Sequence, residues 1–280
     1  MRRIKGILLL SLLLVIPGLV QAKKGTPWEQ KLPFKTLTVQ YELGGMEKGT
    51  ETLYIKDHGK RSATYRKTVT SMMGMKMENN TVEITDPDWV YSYNLTEGTG
   101  SKTANPNKYM KEEFEKLTAD EKKAVLANSE KMGGDIMHGM GGEIEQNVTK
   151  MFGFDCDRTT VMGSTVYNIH DTPVTLKMEA NIMGIKMSQV ATSVEKGKVD
   201  DKVFEHPEGI EAVYDAEADA MARQMAKNAL DWLKDPESNQ MPQMSPGAQQ
   251  ERMEQIPQED QEMMKQAEQM MEGLKGLFGN

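Results

Sequence analysis

The sequence predicts an α+β fold: an antiparallel sheet interrupted by a helical insertion and followed by a helical tail. Three observations carry this prediction. Apolar residues alternate at period two from Thr36 to Asn94, as in half-buried strands. The stretch KYMKEEFEKLTADEKKAVLANSEKM is rich in helix formers. Strand signals then return between Thr159 and Val194, ahead of an end rich in Ala, Met, Gln and Glu.

At the N-terminus, Arg2, Arg3 and Lys5 precede ILLLSLLLVI, an apolar run too short for a comfortable membrane span. Val20-Gln21-Ala22 completes the pattern of a cleaved signal peptide over residues 1–22, so a periplasmic protein starting near Lys23 is expected. Loss of three cations takes the formal charge from −8 to about −11, which disfavours nucleic acid and anionic membranes as partners. No stable membrane insertion is expected after cleavage. The single cysteine, Cys156, allows no intramolecular disulfide.

Leu37, Val39, Tyr41 and Leu43 share one face of a first strand, which Gly44-Gly45 ends. Residues 53–56, 62–68, 69–77 and 81–85 read as further strands. Asp86-Pro87-Asp88 is a turn, and Trp89, Tyr91 and Tyr93 stand on one side of the next strand. Links this short join antiparallel neighbours. In the helical insertion Tyr109, Phe114, Leu117, Val125 and Leu126 offer apolar contacts, and Thr118 with Glu121 forms a capping box for a second helix. The glycines of GGDIMHGMGGE interrupt it, and a short helix is expected over residues 144–151. Strands are expected over 159–162, 165–170, 174–180 and 182–194.

After Tyr214, Ala218, Met221, Ala222, Met225, Ala229, Trp232 and Leu233 fall on one helical stripe. Residues 235–250 have the composition of a flexible linker. Beyond it Met263, Ala267, Met270, Met271, Leu274, Leu277 and Phe278 describe an amphipathic helix. The expected organisation is a sheet domain over 23–214 and a helical, Met/Gln-rich tail over 215–280.

The chain holds 24 methionines, and SMMGMKM (71–77) resembles NIMGIKM (181–187). Met73, Met75 and Met77 would share one side of a strand, as would Met183, Ile185 and Met187. Isoleucine has no sulfur lone pair, so these positions require apolar bulk and not specifically a metal ligand. A Cu(I) site at Met132, Met137, His138 and Met140 is the alternative use of sulfur, with a mobile Met-bearing loop as the other reading. Period alone favours an ordinary core over a ligand cavity on the apolar strand faces. The histidines, His58, His138, His170 and His206, lie in separate segments without a catalytic motif, and adjacent His170 and Asp171 would point apart on a strand. No enzyme activity and no cofactor is expected. Cys156, flanked by Asp155 and Asp157, reads as a quiet structural thiol.

Three segments bear on a family. TETLYIK ends in Lys56; ITDPDWVYSYN carries Asp86, Trp89 and Tyr91; KVDDKVFEHPEGIEAVYD carries Val199, Asp200, Phe204, Pro207 and Gly209. In this order they resemble the periplasmic lipoprotein-carrier superfamily. The resemblance implies an incomplete antiparallel β-barrel, a half-barrel, around an apolar cavity closed by helices, with residues 107–151 as the cover. It places the chain nearer the outlying members than the lipoprotein shuttle itself, so the cargo is not carried over. With the apolar strand face, the expected function is a non-catalytic protein that binds a lipid or lipidated polypeptide, with an outer-membrane or periplasmic protein as a further partner. The residues expected to line its concave face are Leu37, Val39, Tyr41, Met73, Met75, Met77, Trp89, Tyr91, Leu176, Met178, Met183, Ile185 and Met187. A protein-interaction or chaperone-like module acting through the tail is the alternative function.

Overall fold

The computed structural model describes residues 26–236 apart from Pro27, Glu29, Gln30, Met73, Gly74, Met140, Met183 and Gly184. The expected signal peptide, most of the linker and the terminal amphipathic helix lie outside the described residues. Twelve strands form one open sheet: β1 (Leu37–Gly45), β2 (Glu47–Lys56), β3 (Arg61–Met72), β4 (Met75–Thr85), β5 (Trp89–Asn94), β6 (Thr99–Ala104), β7 (Glu143–Met151), β8 (Phe154–Val161), β9 (Ser164–Ile169), β10 (Thr175–Ile182), β11 (Ile185–Glu195) and β12 (Ala212–Tyr214). Their spatial order is β12-β6-β5-β4-β3-β2-β1-β11-β10-β9-β8-β7. All neighbours are antiparallel except β12, which lies parallel to β6. Helices α1 (Pro106–Glu115) and α2 (Ala119–Gly139) connect β6 to β7, and α3 (Ala216–Lys234) follows β12. Thr118 and Glu121 make the expected reciprocal cap, with the Thr118 amide donating to the Glu121 carboxylate at 2.8 Å and the Glu121 amide to Thr118 Oγ1 at 3.3 Å.

The repeated methionine segment proves to be hairpin code. Met72 pairs with Met75 and Ile182 with Ile185, so each copy is two strand ends around a two-residue connection ending in glycine. Phe152-Gly153 and Met162-Gly163 do the same job after β7 and β8, all four residues having positive φ (50°, 80°, 47° and 78°). Such turns match the strand twist, and glycine at their second position carries no steric penalty. The expected strand over 69–77 is therefore two strands, β3 ending at Met72 and β4 starting at Met75, and the expectation for Met73 lies outside the described residues.

Residues 144–151 form β7 instead of the expected helix. The pairing of β7 with β8 breaks between Glu145 and Thr149, and Asn147 has φ 54°, which spoils the alternation that would mark a strand.

The ladders from β1 to β6 run without a register break, so cross-strand pairs assign each side chain to a face. Leu37 pairs through Ile55, Ser62, Thr85 and Val90 to Thr103, and Val39 through Leu53, Thr64, Glu83 and Ser92 to Ser101. The face apolar at β1 is thus polar from β3 to β6 except for Val90. On the opposite face Ala63, Val82, Ile84 and Tyr93 form a second core, covered by Val199 and Phe204. The sheet buries opposite faces in its two halves.

The first core joins Leu37, Val39, Tyr41 and Ile55 to Cys156, Ile169, Leu176 and Ala191, under Leu32 and Phe34. In a flat sheet β1 and β8 would stand about 19 Å apart, four strand spacings, so sharing a core requires this half to curl. Helices α1 and α3 pack beside Trp89 and Ala104, on the face opposite Leu37. They do not cover the β1 core, contrary to expectation, because the apolar side chains of β5 and β6 point the other way.

Candidate ligand-binding cleft

The residues expected to line one concave face separate into three groups. Leu37, Val39, Tyr41 and Leu176 are fully buried and fill the first core with protein atoms. Tyr41 Oη donates to the Thr175 carbonyl at 2.8 Å, and burial holds this phenol neutral, with Glu51 adding to the shift. Met178 is half-buried in the middle of β10, Met187 is half-buried near the start of β11, and Met77 is 67% exposed at its hairpin. Met187 lies opposite Gly45, eight residues and about 27 Å along β1 from Leu37. Trp89 and Tyr91 lie on the opposite face: Trp89 meets Tyr214 edge to face, and Tyr91 meets the His206 ring at 4.4 Å. Met75 and Ile185 belong to β4 and β11, but their side chains, with Met73 and Met183, lie outside the described residues, as do the side chains of Met132, Met137, His138 and Met140.

One opening lies at the end where β1, β8, β9, β11 and β2 start or finish. It is a cleft of about 940 Å³, with Phe34, Phe154, Ile169 and Val199 as its apolar floor and Lys35, Lys56, Lys196 and Lys198 around it. The volume is in the upper part of the range for small-molecule sites. Local interactions place each wall. The segment before β1 is pinned to the β2–β3 turn by Leu32 N donating to the His58 carbonyl at 3.0 Å and His58 N to the Lys35 carbonyl at 3.1 Å. The tight turn at Phe152-Gly153 brings Phe154 into the floor, where its ring meets Phe34 edge to face at 6.2 Å.

The cations differ in their commitments. Lys56 Nζ lies 2.6 Å from Asp201, which Arg61 also approaches at 3.2 Å; the Lys56 hydrogen bond, then Arg61, holds the Asp201 carboxyl below the usual range. Lys150 lies 3.3 Å from Asp155. Lys196 Nζ stands 4.2 Å from the centre of the Phe154 ring. Among the described residues no carboxylate pairs with Lys35, Lys196 or Lys198. None of these lysines was marked by the sequence, since the strand ends that unite them are far apart along the chain.

His170 borders the cleft, and here the expectation that His170 and Asp171 point apart fails. Both follow β9 in a turn, with Asp171 at φ 56°. His170 Nδ1 lies 2.8 Å from Asp157 Oδ1 and its Nε2 3.4 Å from Asp171 Oδ2. These three groups could hold a metal ion. However, Asp157 already accepts from the Asn147 amide at 2.9 Å and stands within hydrogen-bond distance of His170, so it staples the turn to β7 and β8. Cys156 is fully buried; burial first, then Asp157 and Asp155, pushes its thiol up, so the reading of a quiet thiol agrees with its surroundings.

On the polar part of the face that carries Leu37, Arg66 lies 3.3 Å from Glu47 and 3.7 Å from Glu51, and Gln189 donates to Glu51 at 2.8 Å. Burial pushes the Glu51 carboxyl up against the opposing pull of Arg66. Glu83 keeps contact with solvent, but burial among its neighbours pushes its carboxyl up as well. A carboxyl raised in the folded chain contributes stability that is complete below the ordinary carboxylate range and is lost as pH rises through the raised pKa. Glu83→Gln, which mimics the protonated form, should therefore raise Tm by a few degrees at pH 8 and leave it unchanged at pH 4. Thermal melts at both values check this, and an equal shift at both contradicts it.

Fold and cleft together define an α+β protein with an open, mostly antiparallel sheet. Among the described residues, no helix is long and apolar enough to cross a membrane. No protein-family model matches the chain, and no curated protein does. It is similar in structure to an uncharacterised conserved protein from Thermus thermophilus, at 8% identity and TM-score 0.40, over 65% of this chain and 92% of that one. A second similar structure is PNGF-II, at 14% identity and TM-score 0.33; the match covers 69% of this chain and 32% of PNGF-II.

Proposed function

We propose that this chain is a non-catalytic periplasmic binding protein that takes the apolar part of an amphiphile, a lipid or a lipidated polypeptide, into the cleft at the strand ends. The observation that carries the reading is the 940 Å³ opening with an aromatic floor at the mouth of the curled half of the sheet. In this reading β1, β2 and β8–β11 are the wall of a half-barrel whose interior is mostly packed, and the ligand occupies its mouth. The site thus lies away from the Met-lined hairpin ends. The signal-peptide pattern and the resemblance to lipoprotein carriers support the compartment and an apolar ligand.

Fluorescent fatty-acid titration and native mass spectrometry of protein purified from its own periplasm test the proposal. Affinity should rise with chain length, since each buried methylene contributes about 0.8 kcal/mol. Phe154→Glu should weaken uptake at least tenfold while the melting temperature moves by only a few degrees. Recovery of empty protein with no uptake by the wild type would sink the reading.

A further inference from the structure

We infer that the cleft selects an amphiphile with an anionic head, a free anionic lipid in preference to a lipidated polypeptide; this rests on the cleft being the ligand site. The chain as a whole is acidic, with a formal charge of −8. The cleft is the reverse. Four lysines line it against one aspartate, Asp155. Pairing removes one cation and that anion from play, because Asp201 holds Lys56 and Lys150 holds Asp155. Lys35, Lys196 and Lys198 are left facing solvent around an apolar floor.

Each of these three cations stands beside a floor residue. Lys35 follows Phe34 and Lys198 precedes Val199 in the chain, and Lys196 lies over the Phe154 ring. An alkyl chain laid on the floor therefore brings its polar end among three ammonium groups. A smaller opening lacks this pattern. The second pocket, about 370 Å³ near Gly45 and Gly163, is lined by one lysine, Lys186, and one glutamate, Glu179. The acylated, thioether-linked terminus of a lipidated polypeptide carries no anion to satisfy the three lysines, whereas a carboxylate or phosphate head does.

The experiment is displacement of a fluorescent fatty acid at pH 8 by hexadecanoate, hexadecanol, hexadecyltrimethylammonium, a neutral palmitoylated peptide and inorganic phosphate. It uses the wild type and the triple variant Lys35→Gln, Lys196→Gln, Lys198→Gln. The wild type should bind hexadecanoate about tenfold more tightly than hexadecanol at low salt, the scale of a few exposed charge pairs. The preference should collapse in the variant and in 0.5 M salt, where the Debye length falls to roughly 4 Å. Hexadecanol should bind both proteins alike, which would show that the variant is folded and that the floor still works. Equal binding of acid and alcohol by the wild type, a preference that survives the substitutions, or tighter binding of the palmitoylated peptide overturns the inference but leaves the cleft reading intact. Displacement by phosphate alone would replace the lipid with a small anion. Failure of every amphiphile to bind removes the cleft reading, and this inference with it.

Discussion

Asp219→Ala should lower the free energy of unfolding by about 3 kcal/mol, the cost of orphaning buried donors that a carboxylate had satisfied. Asp219 lies in the first turn of α3 and is buried. It accepts from the Ala104 amide at 2.8 Å and from the Tyr109 hydroxyl, so one side chain ties α3 to the end of β6 and to α1. Burial pushes the carboxyl up, but hydrogen bonds from Tyr109, Ala104 and Tyr214, together with Arg223, outweigh it and leave the group below the ordinary range. A depressed carboxyl contributes stability that is present above its unfolded pKa and is lost as pH falls through the folded one. The deficit of the alanine variant should therefore be full at pH 7 and narrow as pH falls below the ordinary aspartate range. Urea unfolding of both proteins across this range measures it, and a deficit that does not change with pH would mean that the charge of Asp219 is irrelevant to its role.

Leu37→Ala should cost about 3 kcal/mol and leave amphiphile affinity unchanged, since truncating a buried leucine removes transfer energy and leaves a cavity. Leu37 is 0% exposed and packs in the core under Leu32 and Phe34. Had it lined a hollow concave face, the same change would alter ligand affinity and spare stability. Denaturant titration with parallel fatty-acid binding separates the two outcomes.

Period two over residues 36–94 made the first strands legible; the helix at 106–115 was legible from its helix formers, the start of the next from the Thr118–Glu121 cap, and the helix at 216–234 from its apolar stripe. Two features were hidden for a physical reason. Strand β7 carries an irregularity at Asn147 that erases alternation. The side of burial was hidden too: Leu37 and Trp89 each head a clear apolar stripe, but only the cross-strand register reveals that the stripes face opposite ways. The X-Gly pairs at 73–74, 152–153, 162–163 and 183–184 were the missed signal, since each marks a hairpin and the one at 73–74 falls between the two stripes. The cleft was illegible because proximity of Lys35, Lys196 and Lys198 is a product of topology. Residue 35 meets residues 196 and 198 only because the central strand β1 pairs with β11.

The two borders of the open sheet differ from its interior. One is β12, with three residues, and the other is β7, whose ladder is broken near Asn147 while the Asn147 amide turns to Asp157. A neighbouring copy seeking to zip on backbone to backbone would find three positions at one margin and an interrupted template at the other. Fibril growth by strand addition is thereby starved of a continuous seed, so a twelve-stranded sheet can remain unclosed without inviting polymerisation.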